Sequence, residues 1–287
     1  MTRTPTYSPT VRRRRLGMLL RTARDAAGLS STAAASRLGV SRASLNKIET
    51  AETQRVRSTH LDDMITLYGI PDQEAEELHA LAKAAKVKGW WWKYRDVFGS
   101  EPLPDFEAEA SHIRTFQPQA IPGLLQTPEY AEAVFRGGRY TSAERLDRLV
   151  EARMTRREIL HRHGSPPRLW AVIDEAVLRR PVGGPEVMRS QMDYLLHIGV
   201  LQNIDIQVLP FDVGAHAAMT GAFTILEFPE PLDPTIVYTD TVGSGQFEED
   251  PEEVTRYIGT FGDVQGAAAS TVMSAQIIED IRKEGTR

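Results

Sequence analysis

Arg42, Ser44, Asn46 and Lys47 stand at helical spacing around Ala43, and each carries a group that a base edge or a phosphate recognises. A guanidinium forks onto guanine, an asparagine amide pairs with adenine, and an alanine methyl meets the methyl of thymine. That chemistry is readout of a DNA major groove, and it requires these residues to share one exposed face. Leu45 and Ile48, three apart, give the same segment an apolar face. The alternative reading is a solvated polar face on an ordinary surface helix.

Positioning such a face takes two helices and a turn. Ser41 can cap the reading helix, about Ser41–Thr50. Ahead of it, Ser30 or Ser31 can cap a helix running to about Arg37, where Ala33, Ala34 and Ala35 let a neighbour approach closely. Gly39 supplies the left-handed backbone that ends the first helix. Helix, tight turn and helix predict a helix-turn-helix. Around it, Leu16, Leu19, Leu20 and Ala23 predict a helix over about 14–27, and Leu61, Met64, Ile65 and Tyr68 one over about 60–68. Pro71 and the acidic residues after it open a fifth, to about Val87. Arg13 and Arg14 in the basic run Arg12–Arg15, and Arg55 and Arg57 in the loop after the reading helix, are placed for phosphates, which contribute affinity without sequence information.

Charge is divided unevenly. Residues 1–60 hold 12 Lys+Arg against 3 Asp+Glu, a net of +9, while the other 227 hold 22 against 36, a net of −14. A basic module on an acidic body is the pattern of a protein that presents one end to phosphate. With 287 residues, two domains are expected. No Cys is present, which excludes disulfides, thiolate zinc sites and cysteine nucleophiles. No apolar run has the length of a membrane span or a secretory signal core, so a cytoplasmic protein is expected.

Along the chain, residues 1–11 read as a disordered arm, 12–88 as the helix-turn-helix domain, 89–104 as a Trp-rich linker and 105–287 as an α+β domain. Trp90-Trp91-Trp92 offers an aromatic platform for bases or an apolar ligand, or a staple at an interface, the reading favoured here. Phe106, Ala110 and Ile113 predict an amphipathic helix over 105–116. The run Gln117–Gln126 holds an extended Pro-rich loop, and Thr127 can cap a helix starting at Pro128. A helix is expected over 145–161, strands over 169–173, 204–209, 222–228 and 235–238, a helix over 186–201, and helices over 251–262 and 266–284.

Candidate catalytic groups do not assemble into a site. His161 and His163 fall short of the three or four ligands a zinc ion wants. Asp174 and Glu175, adjacent at a strand end, point to opposite faces, so acid and base roles do not converge. His216 in a loop could gate a pocket or titrate, or simply fill space. Gly243-Ser244-Gly245 lacks the strand–loop–helix setting of a dinucleotide site and reads as a turn. No enzyme, metal or cofactor is expected.

Leu16-Gly17, Leu20-Arg21, Ala27-Gly28-Leu29-Ser30, Ala34, Leu38-Gly39-Val40-Ser41 and Ile48-Glu49 resemble the xenobiotic-response-element family of helix-turn-helix regulators, which is similar to phage repressors. The resemblance implies groove-facing positions at Arg42, Ala43, Ser44, Asn46 and Lys47, and places Ser31 where the family often carries Gln. Trp91-Trp92, the stretch Ile121-Pro122-Gly123-Leu124-Leu125-Gln126-Thr127, Tyr130, Arg153, Arg156, Ile173-Asp174-Glu175 and Val208-Leu209-Pro210 extend a likeness to WhiJ-like actinobacterial developmental regulators. That class implies a transcription factor whose gene often neighbours a small partner protein, in an arrangement likened to toxin–antitoxin pairs. Two expectations follow. One is a homodimeric repressor-type regulator that reads a palindromic operator and is controlled through its C-terminal domain. The other is an antitoxin-like binder whose docking surface uses Trp91, Trp92, Pro122, Leu124, Leu125 and His216.

Overall fold

The computed structural model describes residues 9–53, 56–86, 89–98, 103–138, 142–230, 233–240 and 245–284. Arg55, residues 1–8 of the arm, 99–102 of the linker and Gly243-Ser244 lie outside them. In chain order the helices and strands are α1 (Pro9–Ala26), α2 (Ser31–Arg37), α3 (Arg42–Glu49), α4 (Ser58–Tyr68), α5 (Asp72–Ala84), α6 (Arg95–Phe98), α7 (Leu103–Glu109), β1 (His112–Gln117), α8 (Pro128–Gly137), α9 (Ala143–Arg157), β2 (Arg168–Asp174), α10 (Glu175–Arg179), α11 (Pro185–Ile198), β3 (Ile204–Leu209), β4 (Phe223–Glu227), β5 (Ile236–Thr239), β6 (Gln246–Glu248), α12 (Pro251–Ala267) and α13 (Thr271–Glu284). The chain forms two compact units.

The first unit takes in residues 1–93, 104–109 and 230–233. Its core joins α1 to α5 through Leu16, Leu20, Ala34, Ala35, Leu45, Ile48, Leu61, Met64, Tyr68 and Leu78, the apolar stripes expected from the helical spacing. The turn between α2 and α3 is a Schellman closure. The Val40 amide donates to Ala35 O at 3.0 Å and the Gly39 amide to Ser36 O at 3.4 Å, with Gly39 at φ +66°. One boundary differs from expectation: α1 begins at Pro9, so residues 9–11 belong to a helix rather than an arm. Proline is tolerated in a first helical turn and Val11 is 6% exposed, so the extra turn is anchored.

The second unit holds residues 94–103, 110–229 and 234–287. Its six-stranded mixed sheet has the order β3-β2-β1-β4-β5-β6. β1, β2 and β3 run parallel, while β4, β5 and β6 pair antiparallel in turn onto β1. Phe116, Val172, Phe223, Ile225 and Val237 share one sheet face and pack on Val254, Phe261 and Val264 of α12. At the outer edge of β3, the Val208 amide donates to Ser274 Oγ (2.8 Å) and Val208 O accepts the Ala269 amide (2.9 Å), so the start of α13 covers a strand edge that would otherwise invite pairing.

Three expectations for this unit are corrected. The helix anticipated over 105–116 ends at Glu109, and 112–117 is β1, paired on both sides at the sheet centre. Ile113, Thr115 and Phe116 are buried and only His112 is exposed, the burial of a central strand covered on both faces. β6 was not anticipated, being only 3 residues long. The helices expected over 251–262 and 266–284 redivide as α12 to Ala267 and α13 from Thr271. α12 carries Gly259, Gly262 and Gly266, where an added Cβ would meet open space. Burial of Val254, Phe261 and Val264 outweighs their intrinsic cost.

Candidate nucleic-acid interface

α3 is divided cleanly by burial. Leu45 is 0% and Ile48 7% exposed, whereas Arg42, Ala43, Ser44, Asn46 and Lys47 are all exposed. Ser41 caps the helix, its Oγ accepting the Ser44 amide at 3.0 Å. The Ser41 and Ser44 hydroxyls also bond to each other at 2.8 Å, which leaves Ser44 less free for a ligand than Arg42, Asn46 or Lys47. Ser30, not Ser31, caps α2, accepting the Ala33 amide at 3.2 Å; Ser31 is the first helical residue and half-buried. Arg57 is exposed immediately before α4. Arg55 lies outside the described residues.

What fixes α3 is a clamp at its C-terminal end that residue types alone did not reveal. Arg24 of α1 grips Glu49 with two hydrogen bonds, Nε to Oε1 at 2.7 Å and a terminal nitrogen to Oε2 at 3.1 Å. Both side chains are nearly dry, at 6% and 5% exposure. A third hydrogen bond ties Arg24 to the Leu29 carbonyl at 2.7 Å, at the entry to α2. The hydrogen bonds to Glu49 hold the Arg24 pKa above its usual value against burial. Tyr68 lies in the electrostatic reach of both groups. Burial above all, and then Glu49, push its phenol up to about 12, while Arg24 pulls it down. The helices also approach closely: a Cβ on Gly17 would stand 2.6 Å from Glu49 O and 2.7 Å from Ile48 O. Gly17 is thus where α1 carries the end of α3. Its signal in the sequence is a glycine inside an otherwise regular helix, on the side that also carries Leu20 and Arg24.

The basic run at the start of α1 is placed differently from its expected role on phosphates. Arg15 makes a bidentate pair with Asp233 (2.9 and 2.5 Å), whose side chain is 3% exposed. Burial is the largest single influence and lowers its pKa, but the Asp233 hydrogen bond and the charges of Asp233, Glu230 and Glu109 together raise it above its usual value. Arg12 lies 3.9 Å from Glu109. The Arg14 guanidinium sits 4.8 Å over the Phe106 ring. Arg13 is half-buried, its pKa lowered chiefly by burial, with Asp105 opposing and Arg14 adding to the shift. Arg13 and Arg14 are therefore engaged inside this unit by residues 105–106.

The expected docking residues of the Pro-rich loop are not exposed. Pro122, Leu124 and Leu125 are buried, the leucines at 4% and 0% exposure. The Pro-rich loop is an internal joint held by two buried glutamines. Gln191 donates to Leu125 O (2.7 Å) and accepts the Thr127 amide (2.8 Å), while Gln126 donates to Ile121 O (2.8 Å) and accepts from Arg153 (2.7 Å). Tyr130 completes it, its hydroxyl accepting the Ile121 amide at 3.1 Å. Such a loop can be apolar because its own chain answers its backbone groups. Trp91 is 8% exposed, edge-on to Trp90 at 6.0 Å, and Trp92 is 44% exposed. His216 meets Phe116 edge-on at 5.4 Å and its Nδ1 accepts the Ala218 amide at 3.2 Å, a space-filling and turn-closing role.

Asp174 caps α10, accepting the Ala176 amide at 2.8 Å, and Glu175 binds Arg179 (2.6 Å) and the Phe211 amide (3.0 Å). Both carboxylates serve local structure. His161 and His163 are exposed, and among the described residues no cluster of three or more His, Asp or Glu side chains could hold a metal. No described helix is long and apolar enough to cross a membrane.

An exposed polar face on a capped second helix, locked from behind, is the arrangement that DNA-binding helix-turn-helix proteins present to a groove. Residues 15–78 match a helix-turn-helix domain family, which supports a DNA-binding regulator. Residues 101–280 match the family described as a domain of unknown function (DUF5753), and the chain belongs to that family. No curated protein and no solved structure matches the chain.

Proposed function

We propose that the protein is a homodimeric, sequence-specific transcriptional repressor that reads a palindromic operator with α3 and is controlled through its C-terminal unit. It acts in the cytoplasm and catalyses no reaction. The observation that carries this reading is the division of α3, with Arg42, Ala43, Asn46 and Lys47 exposed while Leu45, Ile48 and Glu49 lock the helix onto α1 and its neighbours. Dimerisation is inferred from scale. One short helix covers too few base pairs for useful specificity, and two-fold half-sites about one helical turn apart are the usual answer.

Selection from random duplex DNA, repeated with Asn46→Ala, tests it. The expected product is an inverted repeat. Asn46→Ala should lose the preference at one position per half-site, at a cost of about 1–3 kcal/mol per half-site. Enrichment of single sites would remove the dimer. An unchanged motif in the variant would remove α3 from the interface.

A further inference from the structure

Away from α3, the second unit contains a cavity of about 210 Å³ between α10, α11 and α13. Leu178, Met188, Met192 and Ile281 form its apolar floor, each 6% exposed or less. Two methionines make such a floor adaptable, because an unbranched thioether can follow the outline of what it covers. Arg179, Arg189, Arg282 and Glu284 stand at the rim. Arg179 is occupied by Glu175 and Glu284 (2.6 and 2.9 Å), and Arg282 by Asp193 and Glu279 (2.6 and 3.0 Å). Arg189 differs from both. It is exposed, lines the same cavity, and enters no ion pair among the described residues.

We infer that this cavity is a binding site for a small carboxylate with a short alkyl tail. Three features fix the class. At roughly 30 Å³ for each water-sized group, the space holds about seven, well below the size of a drug-like ligand. The floor offers no hydrogen-bonding side chain, so the buried part of the ligand is apolar. The guanidinium left without a partner selects a negative head, and a carboxylate matches its planar fork bidentately. An ammonium head would be repelled by Arg189 while Glu284 is already held by Arg179, and a neutral head would gain no charge-assisted bond from Arg189. Binding is a property of this unit alone. That it controls operator affinity rests on the regulator reading proposed above.

The test uses the full-length protein labelled with ¹³C at its methionine methyls, with hexanoate as the probe and hexan-1-ol and hexylamine as controls. Resonances of Met188 and Met192 are assigned from Met188→Leu and Met192→Leu. Hexanoate should shift these two methyls saturably, with a Kd of about 1 mM or tighter, the range open to an eight-atom ligand. Hexan-1-ol should bind about tenfold more weakly and hexylamine not at all. Arg189→Gln should weaken hexanoate about tenfold and leave hexan-1-ol unchanged, a pattern that general loss of structure would not produce. Shifts spread over all methionines, no shift by about 50 mM, or equal binding of acid and alcohol would overturn the site. Hexanoate that binds here without changing affinity for the selected operator would overturn only the regulatory clause. Failure to select an operator at all would count against the DNA reading and leave the methyl titration standing.

Discussion

Gly17→Ala is the substitution whose two consequences are best separated by magnitude. The new Cβ would lie 2.6, 2.7 and 2.9 Å from Glu49 O, Ile48 O and Glu49 C, all backbone atoms that cannot swing aside as a side-chain end could. Restoring ordinary contact near 3.4 Å requires α1 and the end of α3 to part by about 0.8 Å. Overpacking of this kind costs about 1–3 kcal/mol. Against it stands the gain in helix propensity on replacing glycine by alanine, about 1 kcal/mol. The net loss of stability is therefore only about 0–2 kcal/mol. Affinity receives no such offset, because bidentate base contacts worth about 1–3 kcal/mol each depend on where α3 sits. The selected operator should be bound at least tenfold more weakly by a protein whose Tm has fallen by a few degrees. Fluorescence anisotropy and calorimetry read the two quantities. Gly262→Ala is the control, since its Cβ meets nothing within 4 Å. It should be stabilising by about 0.5–1 kcal/mol and leave DNA binding unchanged. If Gly17→Ala behaved like that control, the close approach would not position α3 and the reasoning would fail.

Other perturbations test the remaining supports. Glu49→Gln takes the buried carboxylate from Arg24 but leaves it Asp25 (2.6 Å) and the Leu29 carbonyl, so unfolding in urea should show a loss of about 1–3 kcal/mol. Alkaline difference spectroscopy should find one tyrosine titrating near 12 and missing from Tyr68→Phe. A phenol whose pKa is raised on folding contributes stability that is complete below the unfolded value near 10 and is lost between about pH 10 and 12, here about 2–3 kcal/mol. Stability of Tyr68→Phe should fall less over that window; an equal fall would place the effect elsewhere. Gln191→Leu strands the Leu125 carbonyl and the Thr127 amide and should destabilise by about 2–5 kcal/mol, whereas a loss below 1 kcal/mol would mean the Pro-rich loop is not held by this residue.

How much of this was legible in the sequence depends on the range of the interaction that decides each element. α2, the Gly39 turn and α3 were legible because caps, turn and apolar face all lie within a few residues of one another. The expected strands around 169–173, 204–209, 222–228 and 235–238 are found as β2 to β5 because each is a β-branched, apolar run bounded by turn residues. β1 was hidden by coincidence. Phe106, Ala110 and Ile113 fall at helical spacing, but the first belongs to α7, the last to a strand, and Ala110 lies between them. Only pairing with β2 and β4 settles that stretch, and both partners are distant in the chain. The Pro-Gly-Leu-Leu loop misled for a related reason. An apolar loop reads as a docking surface until Gln191, more than sixty residues away, is seen to answer its backbone. The clamp on α3 was half legible: Gly17 and Glu49 stood out by resemblance, yet nothing local joined Arg24 to Glu49.

The charge of the N-terminal module shows the same division between local and distant causes. A net of +9 over residues 1–60 suggested a broadly phosphate-seeking surface. Within the first unit, however, Arg12 and Arg15 face Glu109 and Asp233, Arg14 lies over Phe106, Arg13 is balanced against Asp105, and Arg24 is closed onto Glu49. Five of the arginines that made the stretch basic are thereby committed to holding the helices. Among the described residues, the exposed cations that remain on and beside α2, α3 and α4 are Arg37, Arg42, Lys47 and Arg57, and two of these lie on α3 itself. Positive charge far from the groove would attract any DNA equally, adding non-specific affinity that competes with the operator. Internal pairing of the α1 arginines limits that affinity. On the proposed reading of α3 as the groove-facing helix, it leaves the cationic field concentrated where base contacts would be made, and sequence discrimination would be gained there rather than through total charge.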